Sequence, residues 1–160
     1  MPDWYIERDL EGLFIGDTDM NTQASLLPVT RELVPEDQRM YVVERLFGMA
    51  FPLQLEPVVY GITDRMAGEY TGGYWDFFTL SNGGFYMAPS EDRVFHVKCQ
   101  NMYEGNLSAE ALGITSCLYA YSNLSFSLSD IAREYARHYH LLWVYSMEHA
   151  EVREILAATD

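Results

Sequence analysis

Apolar side chains recur with helical spacing in the first half of the chain. Residues 34–37 (VPED) place a proline and two acids at a helix start, and Met40, Val43 and Phe47 follow every three or four residues. Proline fits the first helical position, and acids oppose the positive end of a helix. Gly48 is suited to ending the helix. This pattern predicts a helix from about residue 35 to residue 47.

Two prolines interrupt the pattern that follows. Pro52 and Pro57 bias the residues before them away from helical geometry, so residues 50–57 are predicted to be extended. Pro57 can itself begin a second helix, because a proline at the first helical position needs no N–H partner. The buried face of that helix is predicted to consist of Val59, Ile62, Met66 and Tyr70.

Strand signals occupy the middle of the chain. Residues 74–80 and 85–89 are rich in aromatic and apolar side chains. The intervening Asn82-Gly83 pair is typical of a two-residue type I′ hairpin turn. The cross-strand pairs expected from that turn are Leu80 with Phe85 and Phe78 with Met87, with Trp75, Phe77 and Tyr86 on the other face.

The last third of the chain is again helical. Ser108 is a good N-cap, Ser127 or Ser129 is expected to cap the next helix, and residues 151–158 to form a short last one. Further strands are predicted at residues 93–99 and 101–104. The pattern therefore predicts an α+β fold. Its small antiparallel β-sheet has three to four strands with a central Asn-Gly hairpin, and about five helices surround the sheet in a single compact domain.

Charge divides the chain unevenly. The 160 residues carry 24 acids and 10 bases, a formal net charge of −14, and six of the acids lie in residues 1–19. We interpret residues 1–33 as an acidic, polar N-terminal extension, poorly ordered or loosely packed, and residues 34–160 as the folded domain. Residues 1–19 are either an upstream extension that reflects the choice of start codon, with Met20 as a second candidate start, or an acidic arm anchored by residues 13–15.

Composition restricts the classes of function. Hydrophobic residues make up 49% and aromatic residues 14% of the chain, which is typical of a folded protein. The net negative charge argues against direct binding to nucleic acid or to an anionic membrane, because phosphates repel it. No apolar run approaches the length of a membrane span, and the first residues contain no secretory signal. With two cysteines read as reduced thiols, the chain is predicted to be cytoplasmic.

A search for metal sites finds weak candidates. Residues 17–28 begin like an EF-hand loop, but Thr22 stands where that loop needs glycine and Pro28 where it needs glutamate. His138 and His140 are two apart on a predicted helix, about 200° around its axis, so they cannot share one ion. The pattern favours a surface histidine beside a core tyrosine. No metal site is predicted.

The search for catalytic groups is equally negative. His96 and Cys99 are three apart on a predicted strand and point to opposite faces, and Cys117 lies among apolar helical residues. The glycine pairs at 72–73 and 83–84 match neither nucleotide-binding pattern and are read as a helix stop and a turn. From these residues we predict no catalytic residue, no cofactor and no enzymatic activity.

Two segments around the predicted hairpin carry a resemblance to a known family. Residues 72–77 (GGYWDF) and 80–89 (LSNGGFYMAP) resemble the signature of the ArdB/KlcA antirestriction family. Shorter matches follow in the family's order and extend the resemblance over about residues 34–160: VPEDQR at 34–39, FG at 47–48, DR at 64–65, LSA at 107–109 and YHLL at 139–142.

The resemblance implies a function and a fold. Proteins of this family are carried by plasmids, prophages and genomic islands, and they protect incoming DNA from type I restriction enzymes of the host without being nucleases or methyltransferases. Their fold is a compact α+β domain, and they bring no catalytic residues that can be transferred to this chain. The expected partner is a type I restriction-modification complex or an associated host DNA-processing protein.

Three mechanisms remain open at this stage. In the first, a regulatory contact is made by the hairpin and its flanks, through Tyr74, Asp76, Ser81, Asn82, Gly83, Gly84 and Tyr86. In the second, suggested by the net charge, the chain is an acidic DNA mimic that occupies the DNA-binding groove of a restriction enzyme. In the third, it is an enzyme acting on a small nucleotide or a modified base, which would require a pocket with convergent ionisable groups.

Overall fold

The computed structural model describes residues 27–160, which form five α-helices and five strands. The strands are β1 (Arg31–Leu33), β2 (Trp75–Leu80), β3 (Phe85–Pro89), β4 (Val94–Lys98) and β5 (Glu104–Ser108). The helices are α1 (Arg39–Phe47), α2 (Glu56–Met66), α3 (Ala109–Ser125), α4 (Ala132–Ser146) and α5 (Val152–Thr159). A 3₁₀ turn (Glu36–Gln38) precedes α1, and a π-helical segment (Phe51–Leu55) precedes α2. The α+β class and the antiparallel strands are confirmed.

The strands divide between two small sheets. One sheet has the order β1-β2-β3, and β4 pairs only with β5. The last strand begins at Glu104, later than predicted, because a turn closed by a hydrogen bond from the Met102 N–H to the Cys99 carbonyl precedes it. Met102 has a φ of 73° in that turn, which a regular strand does not permit.

The hairpin turn differs from the predicted type I′ turn by one residue. The Leu80 carbonyl accepts a hydrogen bond from the Gly83 N–H, and the Leu80 N–H donates one to the Gly84 carbonyl, both at 2.9 Å. Within the turn, only Gly83 has a positive φ, 93°. This is a three-residue loop in which a type I turn is followed by a glycine bulge. Phe77 therefore lies opposite Met87, and Phe78 opposite Tyr86, so the predicted cross-strand pairs are wrong.

The segment around the two prolines is helical, and the prediction of an extended stretch at residues 50–57 is wrong. Pro52 and Pro57 each occupy the first turn of a helical segment, where a missing N–H leaves no hydrogen bond unmade. Phe51 and Leu55 are buried in the core. This long-range packing outweighs the local preference of the residues that precede proline.

The folded domain begins earlier than residue 34. Leu33 pairs with Phe78 in β1, and Thr30 exchanges hydrogen bonds with Ser81. Residues 31–33, which we assigned to the extension, are thus part of the sheet. The rest of the predicted extension, including the acidic residues 1–19, lies outside the described residues.

Helix α3 is the centre of the molecule. Eleven of its 17 residues are buried, which is typical of a helix enclosed on all sides. It packs against α2, α4, α5 and β3. The predicted N-cap is confirmed, since the Ser108 hydroxyl accepts from the Ala111 N–H at 3.1 Å.

Candidate functional surface

The predicted contact residues do not form one surface. Strand β2 is six residues long, so about 20 Å separate its two ends. We call one end the hairpin tip, residues 81–84, and the other end the hairpin base, made of Tyr74 and Asp76 with Arg39. Tyr86 belongs to neither end.

The hairpin tip uses its polar groups within the fold. The Asn82 amide donates to the Leu141 carbonyl at 2.9 Å and accepts from the Gly84 N–H at 3.0 Å. The Ser81 hydroxyl accepts from the Thr30 N–H at 2.9 Å, and Gly83 is the exposed apex. Gly84 is buried, so its predicted role as a surface residue is wrong. These bonds anchor the hairpin to α4 and to the chain before β1.

The hairpin base is organised by one arginine. Arg39 donates to the Trp75 carbonyl at 2.7 Å and forms an ion pair with Asp76 at 3.5 Å. Its guanidinium lies over the rings of Tyr74 and Phe77, at 4.7 and 4.8 Å from their centroids. Tyr74 remains 52% exposed. The base thus presents an aromatic ring and a carboxylate held in place by Arg39.

Tyr86 is fully buried, so its assignment to a contact surface is wrong. Its ring stacks between Phe78 and Tyr145, at 4.9 and 5.6 Å, because α4 covers this face of the sheet. Its hydroxyl donates to the Glu110 carboxylate at 2.6 Å. Burial and this hydrogen bond raise the pKa of the phenol.

Glu110 is the hub of a network that the sequence does not reveal. The Arg31 guanidinium and the Tyr86 hydroxyl each donate a hydrogen bond of 2.6 Å to its Oε1. His149 accepts from the Glu151 N–H through Nδ1 at 3.0 Å, so its hydrogen lies on Nε2, which donates to Glu110 at 3.2 Å. Burial alone would raise the pKa of Glu110, but the bonds from His149 and Tyr86 and the charge of Arg31 outweigh it and lower the pKa to about 2.

Replacing Glu110 with glutamine is expected to lower the free energy of unfolding at pH 7 by about 2 kcal/mol, because the new NH2 group faces donors. The folded-state pKa is below the unfolded value, so the stabilisation is present above pH 4.5 and is lost as the pH falls towards 2. Urea denaturation between pH 2 and 7 measures both effects. Glu148→Gln, at an exposed carboxylate, is the matched control, and equal stability of the two variants would contradict the role of the network.

An open cleft of about 340 Å³ adjoins this network and the hairpin base. Four carboxylates line the cleft together with one guanidinium and the ring of Phe78: Asp76, Glu91, Asp92 and Glu110, the last of which is paired with Arg31. The Arg31 guanidinium lies 4.7 Å above the Phe78 centroid. The cleft therefore offers negative charge beside an apolar floor.

The histidines and cysteines do not converge. Within residues 27–160, no group of three or more histidine, cysteine or acidic side chains is placed to hold a metal ion. His138 and His140 lie on opposite sides of α4, as predicted, but His138 is fully buried, which corrects the expectation of a surface histidine. Burial raises the pKa of the Cys117 thiol to about 12. The EF-hand-like segment lies almost entirely outside the described residues.

None of the described helices is long and apolar enough to cross a bilayer.

Comparison with known proteins decides the family. The model of the antirestriction protein family matches residues 68–160. This chain belongs to the antirestriction protein family. Antirestriction protein KlcA from Escherichia coli is 38% identical over 138 residues, covering 83% of this chain and 94% of the relative. The protein YafX from Escherichia coli K12 is 40% identical over 134 residues, covering 79% and 85%.

The family likeness extends to the fold. A solved structure from work on the KlcA and ArdB proteins superposes with a TM-score of 0.77 at 35% identity, covering 84% of this chain and 96% of that chain. Those proteins are described as having antirestriction activity against type I DNA restriction systems in vivo but not in vitro. The resemblance of residues 72–89 to the ArdB/KlcA antirestriction family is confirmed, and this segment is the β2–β3 hairpin.

Proposed function

We propose that this antirestriction family member protects incoming DNA from type I restriction inside the cell, without nuclease or methyltransferase chemistry of its own. The observation that carries this is the match over 84% of the chain to proteins with that activity. The reading of the chain as a product of a plasmid, prophage or genomic island is part of the same proposal. Its partner is the restriction complex or a host protein that processes DNA with it.

We place the contact at the hairpin base rather than at the tip. At the tip, the side chains of Ser81 and Asn82 make their hydrogen bonds within the fold. At the base, in contrast, Tyr74 is half exposed and Asp76 lines the acidic cleft. An exposed tyrosine beside a fixed charge is typical of residues that contribute strongly to protein interfaces.

The test is restriction of unmodified phage in cells that carry a type I system. Expression of the chain is expected to raise the plating efficiency towards that of modified phage. The Tyr74→Ala/Asp76→Asn variant is expected to lose at least about tenfold of this protection, the effect of losing one contact worth ~1.4 kcal/mol. Thermal unfolding of the purified variant confirms that it is folded.

A matched control separates this surface from charge in general. Asp130→Asn removes an exposed carboxylate in the α3–α4 connection, and we expect it to protect as well as the original chain. Full protection of the phage by the Tyr74/Asp76 variant would exclude the hairpin base as the contact surface. Absence of protection by the original chain in every type I system would exclude the proposed function.

The acidic cleft favours one second candidate, a DNA mimic. Residues 27–160 carry 18 acids and nine bases, and four of the acids line the cleft. A mimic binds the purified restriction complex directly, with an affinity that falls steeply as salt rises. Cleavage inhibited in cells but not with purified components, and no binding at low salt, would instead indicate a host factor.

A further inference from the structure

A groove runs between the C-terminal end of α2 and strand β4, away from the hairpin. It consists of an inner slot of about 60 Å³ and an adjoining outer cleft of about 240 Å³. Arg65, Met66 and Lys98 line both cavities. The two spaces therefore adjoin at these side chains.

The slot combines an apolar floor with amide groups. Ile62 and Met66 of α2 lie on one side, and Cys99 and the ring of Tyr119 contribute to the lining. Gln100 and Asn123, which carry amide groups, also line the slot. Apolar and polar side chains thus line the same cavity, and this combination is common to small-molecule sites.

The groove is a place in this acidic molecule where two cations face one space. Arg65 has no acidic side chain of residues 27–160 within 4.0 Å. Lys98 lies 3.7 Å from Glu104, but that carboxylate is shared with His96 at 2.8 Å. Glu69, the acid on the outer cleft, is engaged by Arg93 at 3.2 Å. Arg65 and Lys98 thus retain donors for an external anion.

We propose that this groove binds a small organic anion. Arg65 and Lys98 hold its phosphate or carboxylate head, and its body lies along the groove against the residues that line the slot and the outer cleft. The ligand is small because the slot and the adjoining cleft hold about 60 and 240 Å³, and it is not a polyanion because the net charge of the chain repels one.

Cys99 provides the readout, since it lines the slot and is half-buried while Cys117, the other cysteine of the chain, is fully buried. The experiment measures the rate of Cys99 alkylation by iodoacetamide, with the modified site identified by mass spectrometry. The probes are adenosine monophosphate and glutarate, with adenosine as the uncharged control. At 10 mM, at least one anion is expected to slow alkylation about fivefold or more while adenosine does not.

Two variants decide whether the cations are responsible. The Arg65→Gln/Lys98→Gln variant is expected to need at least about tenfold more ligand for the same slowing of Cys99 alkylation. Arg133→Gln/Arg153→Gln, which removes two exposed cations elsewhere, is expected to behave like the original chain. If only adenosine monophosphate slows Cys99 alkylation, the groove binds ligands through a phosphate group. If only glutarate slows it, the groove binds ligands through a carboxylate group.

The proposal is overturned if neither anion slows alkylation, if adenosine slows it equally, or if the Arg65/Lys98 variant is protected as well as the original chain. Because the readout is chemical modification of the purified protein, its outcome does not depend on antirestriction activity. A failure in this assay therefore leaves the proposed function unaffected, and the reverse also holds.

Discussion

Replacing Gly113 with alanine is expected to lower the free energy of unfolding by at least about 3 kcal/mol. A Cβ at this position would lie 2.4 Å from both the Ala88 Cβ and the Met87 carbonyl oxygen. Both atoms belong to β3, whose residues are all buried. The clash can be relieved only by moving α3 away from the sheet, and this separates the two elements around which the core is built.

Urea denaturation of the purified variant measures this effect, and a matched glycine provides the control. A Cβ at Gly68 would have no neighbouring atom within 4 Å, and the φ of Gly68 is not positive. Gly68→Ala is therefore expected to change the free energy of unfolding by no more than about 0.5 kcal/mol. A Gly113→Ala variant as stable as Gly68→Ala would show that α3 and β3 do not approach as closely as described.

The second large effect is acid destabilisation through His138. Its ring is fully buried, 4.7 Å from the centroid of Phe47 and 5.6 Å from that of Tyr121. Neither ring nitrogen has a hydrogen-bond partner among the described residues. Burial, with a smaller contribution from the charge of Arg137, lowers the pKa of His138 to about 4.

The sign of the pH dependence follows from the proton balance. Between pH 6.5 and 4 the unfolded chain binds a proton at His138 and the folded chain does not, so stability falls as the pH falls through this window. The expected loss is about 3 kcal/mol. Most of this pH window lies above 4.5, the pH below which the stabilisation by Glu110 is lost, so the two effects are separable.

Replacement of His138 with leucine is expected to raise stability at pH 7, because the buried nitrogens without partners are removed. It should also flatten the pH dependence between pH 6.5 and 4. His140→Leu, at an exposed position two residues along the same helix, is the matched control and is expected to change stability at pH 7 by no more than about 0.5 kcal/mol. A His138→Leu variant with the original slope would contradict a buried, neutral histidine.

Much of the fold is predictable because its signals act over a few residues. The proline and acids at residues 34–37 begin the α1 segment, Gly48 ends it with a φ of 57°, and Ser108 caps α3. The position of the β2–β3 hairpin follows from its turn residues, and its sequence carries the family resemblance. The register of the hairpin does not follow, because a two-residue and a three-residue loop are both compatible with Ser-Asn-Gly-Gly.

The candidate site was less predictable. Tyr74 is exposed and Asp76 is half-buried beside Arg39, whereas Gly84 and Tyr86 are buried by α4, an element more than 40 residues further along the chain. The hub at Glu110 joins residues from β1, β3 and the segment before α5. Each of these residues is unremarkable in its own stretch of sequence, and only their convergence makes a network.

The sequence by itself determined most of the elements, their order, the family and the excess of negative charge, since caps, turns, apolar periodicity and charge are local or additive properties. Tertiary structure alone decided the helical path of residues 51–57, the division of the strands into two sheets, the burial of His138 and the close contact at Gly113. These features depend on which distant side chains compete for the same core volume. Close packing resolves that competition for the whole domain at once.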